Sequence, residues 1–502
     1  MKWIDRFLNR ITMYRLVLYY LMALVAAAFV LGLFKIVPAA PLSLAWTVLV
    51  TVAICWLANR LFGAFFEIPT NAESAYVTAL ILVLIIDPVD PLDWRRLGAL
   101  AFIALWAMAS KFMFAIRRRH IFNPAAFAVA LSAITVGESA TWWVGGNVAL
   151  LPVVLIGGLL VLRKIQRFDL VAVYFLAELA AILATTSPSG WAGALRETLL
   201  HSPLFFFAFV MLTEPLTAPT TRWRRLAFAV LIGVLSAPNV HVGSFYLTPE
   251  LALLIGNLFG FLLDPQRRSM LTLDRIEQVA HDAYDFVFRP DRRLAFAPGQ
   301  YAEWTLNVDH PDNRGNRRYF TVASAPTERE VRLGVKFYSA ASAFKKRLAE
   351  LSPGDRMFIS PVAGDFTLPA DSDTKLAFLA GGIGITPFRS MLQYMIDRDE
   401  PRDVIVVYGN ERSEDIAYGE VLGRARRELG IPTIYAVAKD AQRGQYPGLI
   451  DEKLIRRAIP DFRDRTFYIS GPLGMVNAVR STLLHMGVHH SHLKVDFFPG
   501  FA

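Results

Sequence analysis

The stretch Arg318-Tyr319-Phe320-Thr321-Val322-Ala323-Ser324 gathers residue types suited to a flavin dinucleotide. An arginine can pair two-pronged with a pyrophosphate. An aromatic two residues further along an extended strand lies on the same side and can stack on a flat ring. A hydroxyl beside that aromatic can reach the ring's polar edge. The segment from Ser339 to Lys345 opens the one helix expected nearby, and hydroxyls at a helix start suit an anion. Ser339 and Ser342 are therefore candidates for the same pyrophosphate, with ordinary serine capping as the plainer alternative. Further on, Gly381-Gly382-Ile383-Gly384-Ile385-Thr386-Pro387 follows a buried-strand pattern and precedes a helical one. Glycine lets a backbone approach a phosphate, and the helix dipole favours the charge. The spacing differs from the six-residue dinucleotide fingerprint. Gly381, Gly382, Gly384, Thr386 and Pro387 are the nucleotide-binding candidates.

Two kinds of element must hold these residues. From Leu271 the chain alternates apolar and polar residues in short runs split by turns, which predicts a small antiparallel β-barrel over residues 270–370. From Lys375, apolar strand patterns alternate with helical ones, which predicts a doubly wound α/β domain over 374–502. Ligands of such sheets lie beyond the carboxyl ends of the strands. Those ends carry Gly381–Pro387, Asn410–Ser413 and Ser470-Gly471-Pro472. Asn410 and Arg412 join the candidates. Arg412 and Ser413 could hold the 2′-phosphate of NADPH, and Glu411 could instead bind the free ribose hydroxyls of NADH.

The first half of the chain is of a different kind. The protein has 502 residues, 54% of them hydrophobic, and the apolar excess is concentrated in residues 14–263. About ten apolar runs, near 15–34, 42–59, 74–87, 97–115, 123–136, 148–162, 169–186, 202–213, 226–239 and 246–263, predict a polytopic α-helical membrane domain over 1–265. The short runs suggest tilted or interrupted helices. The net charge of +9 resides largely in loops beside these runs, so it reads as membrane topology, with no nucleic-acid partner. Arg117-Arg118-Arg119, Arg163-Lys164, Arg224-Arg225 and Arg267-Arg268 fall on one side, which places both termini and the second half in the cytoplasm, at the cell's inner (plasma) membrane. Ser74–Pro91 and Ser202–Pro219 each run from apolar residues into acid-Pro, and Arg-Arg-Leu opens the next span in both cases. With five spans per copy the repeats are inverted, an arrangement that encloses a site near the bilayer midplane.

A single cysteine, Cys55, excludes a disulfide framework, a thiolate metal site and an iron–sulfur cluster within one chain, and no metal is expected. Only His120, His201 and His241 occur before residue 265, too few and too scattered for paired haem ligation. Among polar residues of the spans, Glu178 lies in mid-span, where a carboxylate is costly and marks a functional site or a structural hydrogen bond. Glu214, in the second acid-Pro turn, and Asp87, in the first, are candidates for coupled protons. Asn257 suits either a flavin or quinone contact or helix packing beside small residues. Lys111 is expected to snorkel toward the cytoplasmic surface.

Two resemblances follow from these motifs. Ser74-Ala75-Tyr76-Val77-Thr78-Ala79-Leu80, Phe122-Asn123-Pro124-Ala125-Ala126 and Phe207 to Thr217 resemble the membrane flavin subunits of the sodium-pumping NADH:quinone reductase and of Rnf complexes. That resemblance adds Asn123 and Thr217 to the membrane candidates. Those relatives carry FMN on a Thr of a Ser/Thr-Gly-Ala-Thr motif. The nearest text here, Ser189-Gly190-Trp191-Ala192, lacks the acceptor, so only a noncovalent second flavin, FMN or riboflavin, is compatible. Residues 270–502 resemble the ferredoxin–NADP reductase family. Its R-x-Tyr-Ser/Thr is similar to Arg318-Tyr319-Phe320-Thr321, and its Gly-Gly-x-Gly-x-x-Pro to Gly381–Pro387. Its Cys-Gly-Pro-x-x-Met is similar to Ser470-Gly471-Pro472-Leu473-Gly474-Met475, and its closing acid-x-Phe to Asp496-Phe497-Phe498. The resemblance implies FAD, with Arg318 on its pyrophosphate, Phe320 stacked on the ring and Thr321 near N5. It also implies NADH or NADPH, with Ser470 near the nicotinamide. Phe320 in place of Tyr drops a hydrogen bond, and Ser470 in place of Cys is expected to slow hydride transfer.

The expectation is thus a membrane-bound, NAD(P)H-oxidising flavoprotein that passes electrons from FAD through its membrane half to a quinone or another acceptor, with or without ion coupling. The rival is a transporter or ion channel gated by the redox state of its reductase half, an architecture that inverted repeats favour. A reductase merely anchored by its spans is the plainest reading, and ten spans exceed what anchoring needs.

Overall fold

Apolar residues lie on both the inward and the outward faces of the long helices in the first 263 residues. In α1 (Met13–Leu33), Leu16, Val17, Tyr20, Leu21, Leu24 and Ala28 form a buried stripe at helical spacing. Tyr19, Met22, Phe29, Val30 and Leu33 of the same helix are exposed. Apolar side chains facing both inward and outward are what a helix in lipid requires. The structure is a computed structural model that describes residues 8, 11–66, 72–116, 119–219, 221–243, 245–263, 269–308, 312, 316–338, 341–360 and 362–496. It divides into two compact units, residues 1–267 and 268–501.

The first unit continues with α2 (Pro41–Phe65), α3 (Ala72–Ile85), α4 (Trp94–Met113), α5 (Pro124–Thr135), α6 (Leu151–Ile165) and α7 (Phe168–Thr185). Then come α8 (Trp191–His201), α9 (Leu204–Phe206), α10 (Arg222–Ser236) and α11 (Pro249–Leu263). Each of the ten apolar runs of the sequence holds a helix; among the described residues α1, α2, α4 and α7 are long and apolar enough to cross a membrane, with a fifth span if the bent pair of residues 188–201 and 204–211 counts as one. The apolar runs overstate helix length because capping residues cut them short. Asn123, for example, starts α5 by accepting the Ala126 N–H at 3.1 Å, with Pro124 in the first turn.

The sequence did not single out α8, which has only one buried residue, Thr198. Residues 188–201 and 204–211 form a helix pair bent by 58°. Its second part widens at Phe207–Met211 into a π-helix, closed by Leu212 N–H to Phe207 O at 3.0 Å. Small residues bring helices together where lipid offers no hydrophobic drive. A Cβ on Gly157 would stand 2.0 Å from the Tyr20 ring, and one on Gly158 1.9 Å from that of Phe209. Lys111, half-buried in the last turn of α4, donates from its Nζ to Ser74 O and Ser74 Oγ in the first turn of α3, both at 3.0 Å.

The second unit holds two sheets. The first comprises β1 (Ser269–Ala280), β2 (Ala283–Pro290), β3 (Tyr301–Thr305), β4 (Arg317–Thr321), β5 (Val331–Lys336) and β6 (Arg356–Ile359). It is antiparallel, in the order β4-β3-β6-β1-β2-β5. Leu271, Leu273, Phe286, Phe288 and Trp304 fill its core. The edge strands β4 and β5 approach just past Thr321, where Ala323 N–H reaches Arg332 O at 2.9 Å and Arg332 N–H reaches Ser324 Oγ at 3.1 Å.

The second sheet comprises β7 (Leu376–Gly381), β8 (Val404–Asn410), β9 (Thr433–Val437), β10 (Tyr446–Pro447), β11 (Thr466–Ser470) and β12 (Leu493–Val495). Every pair is parallel, in the order β10-β9-β8-β7-β11-β12. All six residues of β7 are buried. Leu376, Phe378 and Ala380 face the core under α13 (Thr386–Arg398) and α14 (Gly419–Leu429). Ala377 and Leu379 face the core under α15 (Glu452–Ala458) and α16 (Leu473–His485). Helices on both faces explain why these strands read as unbroken apolar runs.

Candidate functional site

Adjacent strands β7 and β11 end together, at Gly381 and Ser470, and the turns that follow interlock. A Cβ on Gly384 would stand 2.5 Å from Gly471 Cα and 2.7 Å from the Ser470 carbonyl carbon. A Cβ on Gly381 would stand 2.4 Å from Met475 Sδ and 3.1 Å from Pro472 Cδ. Gly382 has φ +52° and Gly471 φ +155°, backbone that favours glycine. A short 3₁₀ turn, Gly382–Ile385, leads into α13, where the Thr386 hydroxyl donates to Ile383 O at 3.2 Å and Pro387 occupies the first turn. Met475 and Pro472 thus shape the turn itself.

The Ser470 hydroxyl is buried and donates to Asp496 Oδ2 at 3.0 Å. The Asp496 N–H donates to Ile469 O at 3.0 Å. Asp496 stood in the sequence only as part of a terminal motif; the structure couples it to the serine. Burial pushes its carboxyl up to about 7, and the Ser470 hydrogen bond partly offsets that rise. A raised acid contributes stability that is present below its unfolded value, 3.8, and lost as pH climbs through about 7. Stability of the second unit is therefore expected to fall by a few kcal/mol between pH 4 and 8 on this account, at about 1.4 kcal/mol per pH unit. Thermal release of bound flavin measures this. Asp496→Asn is expected to flatten the slope, and an unchanged slope would contradict the assignment.

At the end of β8, Asn410 is 6% exposed, and neither of its amide atoms makes a hydrogen bond among the described residues. Arg412 is exposed and pairs with Glu414 at 3.7 Å. On the first sheet, β4 divides its side chains between two faces. Arg318 and Phe320 both lie against Phe344, the guanidinium 5.3 Å from the ring centroid and the Phe320 ring 6.1 Å from it. Tyr319 donates to Glu303 Oε2 at 3.0 Å, and Arg317 pairs with the same carboxylate at 3.3 Å. Thr321 is buried opposite Tyr301. Val322 is wholly buried in the core, and Ser324 Oγ serves the Arg332 N–H.

Arg318 faces an internal anion that the sequence did not mark. Asp312 Oδ1 lies 3.4 Å from its Nη2, and Asp312 Oδ2 accepts the Ala343 N–H at 2.9 Å. A carboxylate held by Arg318 and a backbone N–H stands in for the charge of a pyrophosphate, so the residues fit such a group. The sequence around Asp312 has no apolar periodicity, so no pattern pointed to it. The helix α12 (Ala343–Ala349) is shorter than expected, and Ser342 caps it by accepting the Lys345 N–H at 3.3 Å. Ser339 and Phe498 lie outside the described residues.

The end of β4 rests on the helix that follows the glycine turn. Arg389 Nη1 donates to Ala323 O at 3.2 Å, the Ser390 hydroxyl donates to Ser324 O at 2.7 Å, and Arg389 pairs with Glu328. The Tyr418 hydroxyl donates to Asp285 Oδ1 at 2.5 Å. Burial raises the Asp285 carboxyl, while Tyr418 and the nearby arginines draw it down.

In the first unit the structure unites four of the five candidates. Asn123 Nδ2 donates to Glu214 Oε2 at 2.7 Å. The Asn123 N–H donates to Asn257 Oδ1 at 2.8 Å. Thr217 Oγ1 lies 3.5 Å from Glu214 Oε2. His120 Nε2, which the sequence reading weighed only as a haem ligand, lies 3.4 Å from Glu214 Oε1. Asn257 is fully buried with its Nδ2 unpartnered. Glu178 lies apart from this group, 5% exposed on α7, with Oε2 unpartnered. Asp87 accepts the Thr141 hydroxyl at 2.9 Å.

Residues 378–481 match the family of oxidoreductase NAD-binding domains. Residues 144–270 match the NQR2, RnfD, RnfE family. The chain therefore joins a helical region of the NQR2, RnfD, RnfE family to a reductase-like module with an oxidoreductase NAD-binding domain. Among curated relatives, a flavohemoprotein of Pseudomonas putida is 30% identical over 232 residues, covering 45% of this chain and 58% of its own length. One from Bacillus cereus is 29% identical over 216 residues, covering 41% and 53%. This chain spans little more than half the length of these relatives. The flavohem-like FAD/NAD-binding domain of nitric oxide dioxygenase from Vibrio cholerae superposes with a TM-score of 0.41 at 18% identity, over 46% of this chain and 98% of that one. The cytochrome b5 reductase domain of Ulva prolifera nitrate reductase gives 0.41 at 20%, over 47% and 98%.

Proposed function

We propose that the protein is a membrane-bound NAD(P)H-dependent flavin oxidoreductase that passes electrons through its helical half to a quinone or another membrane acceptor. The observation that carries this reading is the seating of the β4 end, at Ala323 and Ser324, on Arg389 and Ser390 of α13, the helix that follows the glycine turn. It brings a strand suited to a flavin beside a turn suited to a dinucleotide. In this reading residues 1–265 form the membrane domain, with ten spans in an inverted repeat. Residues 270–370 close into a barrel for FAD, and 374–502 bind NAD(P)H. Both termini and the reductase half lie on the cytoplasmic side of the inner membrane.

Arg318 holds the FAD pyrophosphate, Phe320 stacks on the ring, and Thr321 reaches the N5 edge. The turns at Gly381–Pro387 and Ser470–Pro472 hold the dinucleotide, with Ser470 against the nicotinamide. Bound FAD supplies the exchange of one hydride for two single electrons. Overall, NAD(P)H, one proton and a quinone give NAD(P)⁺ and the quinol. The cluster of Asn123, Glu214, Thr217 and Asn257 lines the path in the first unit, where a second, noncovalent flavin or the quinone itself binds.

The bent pair of residues 188–201 and 204–211 favours a second reading. Broken helices are typical of carriers, so the reductase half would gate an ion path. One preparation separates the two. The full chain, purified in mild detergent, is assayed for flavin content and for NADH-driven reduction of a soluble quinone, then reconstituted in liposomes for ion flux. One or two flavins per chain with quinone reduction support the oxidoreductase. Ion flux without an electron acceptor and no quinone reduction would replace it with the carrier.

A further inference from the structure

We propose that the dinucleotide site selects NADH over NADPH, through the carboxylates of Glu411 and Asp440 at the ends of β8 and β9. The proposal rests on the NAD(P)H-oxidising reading and narrows it to one cofactor. The sheet order β9-β8-β7-β11 sets the geometry. Strands lie about 4.8 Å apart, so β11 and β9 are separated by about 14 Å. With the nicotinamide at Ser470 and the diphosphate over the turn after β7, the adenosine half falls across the ends of β8 and β9.

That edge is tied together by backbone hydrogen bonds, and among the described residues Asp440 is the carboxylate there that enters no ion pair. The ladder continues past the strands: Ala438 N–H donates to Asn410 O at 3.1 Å, and Lys439 N–H to Glu411 O at 3.0 Å. The Ser413 N–H holds Asp440 Oδ1 at 2.7 Å, which fixes that carboxylate beside the β8 end. The Ser413 hydroxyl lies within reach of Gln445 Oε1 at 2.9 Å and Asp440 O at 3.1 Å, so it is already engaged as a donor. The cations nearby are compensated: Lys439 pairs with Glu411, Arg412 with Glu414, and Lys336 with Asp415 at 2.5 Å. Asn410, buried and with neither amide atom in a hydrogen bond among the described residues, sits beside Tyr408 at the same edge.

A carboxylate accepts hydrogen bonds from the vicinal hydroxyls of an unmodified ribose. A 2′-phosphate brings a charge of about −1.5 to −2 against Glu411 and Asp440 and offers no proton to them. Exposed ion pairs are weak, so Arg412 and Lys439 alone do not forbid a phosphate. The discrimination comes from the fixed Asp440 and the spent Ser413. Arg443, on the turn after β9, has no ion pair among the described contacts, and it is the cation a phosphate would recruit.

The test is anaerobic stopped-flow reduction of the FAD-loaded full chain by NADH and by NADPH, read from flavin absorbance. NADH is expected to be at least about tenfold more efficient, the scale of like-charge repulsion at such distances. The double variant Glu411→Gln/Asp440→Asn is expected to shrink that ratio at least about threefold by admitting NADPH. Equal or better use of NADPH, or a ratio unmoved in the double variant, would each overturn the proposal. Reduction by neither cofactor would overturn the reading beneath it, an outcome distinct from a preference for NADPH.

Discussion

Replacing Gly384 by alanine is expected to reduce NADH-driven flavin reduction by about a hundredfold while leaving FAD bound. The added Cβ would stand 2.5 Å from Gly471 Cα, 2.6 Å from Gly471 N and 2.7 Å from the Ser470 carbonyl carbon. All three are backbone atoms, so no side chain can swing aside. One of the two turns must shift, and overpacking of this kind costs about 1–3 kcal/mol of stability. The larger effect is on geometry, because a displacement near 1 Å at a reacting centre can cost about a hundredfold in rate. Gly430, which ends α14, supplies the control. A Cβ there meets nothing within 4 Å, and its φ is +68°. Gly430→Ala should therefore cost about 1–2 kcal/mol of backbone strain with little effect on rate. The measurement is stopped-flow reduction, normalised to FAD content. A Gly384→Ala protein that is reduced as fast as the parent would remove these turns from the reaction site.

Arg318→Leu is expected to weaken FAD binding by tenfold to a hundredfold, the loss of roughly 1.5–3 kcal/mol that a charge-assisted contact contributes. The substitution also strips the partner from Asp312, so a general loss of stability would give the same first result. Asp312→Asn separates the explanations. If Arg318 serves a pyrophosphate, neutralising the carboxylate that shares its guanidinium should leave FAD affinity unchanged or raise it. If the pair is purely structural, both variants should lose FAD and melt earlier together. Flavin content after purification, with a fluorescence titration of FAD into flavin-free protein, distinguishes the two.

The sequence made the parallel sheet nearly transparent. The fully buried β7 appears as an unbroken apolar run, and the glycine turn follows where a ligand is expected. The ends of β8 and β11 were legible for the same reason, since a strand pattern stops abruptly there. The membrane half was legible as helices but not as lengths. Apolar content says that a residue tolerates lipid, whereas helix ends are set by caps such as Asn123 and by the π-helical stretch at Phe207–Met211. The residues that escaped notice act through tertiary contact alone. Asp312 and the Arg389–Glu328 pair have no periodic signature, His120 was weighed only as a haem ligand, and each acquires its meaning from a side-chain contact that no sequence pattern encodes. Asn123, Glu214, Thr217 and Asn257 were picked singly, and their assembly around one carboxylate is a property of the fold.

The protein has a single cysteine, and Cys55 is completely buried in α2. A thiol shut inside a helix bundle reacts poorly with aqueous reagents. The natural chain therefore behaves toward a membrane-impermeant maleimide as though it had no cysteine. New cysteines can be placed one at a time on polar loops without first engineering a silent parent. A probe at Gln166 and another at Asn239 would report, in intact cells and in inverted vesicles, which face of the membrane each loop meets. The sidedness drawn here from the distribution of arginines could then be read directly from which preparation takes the label.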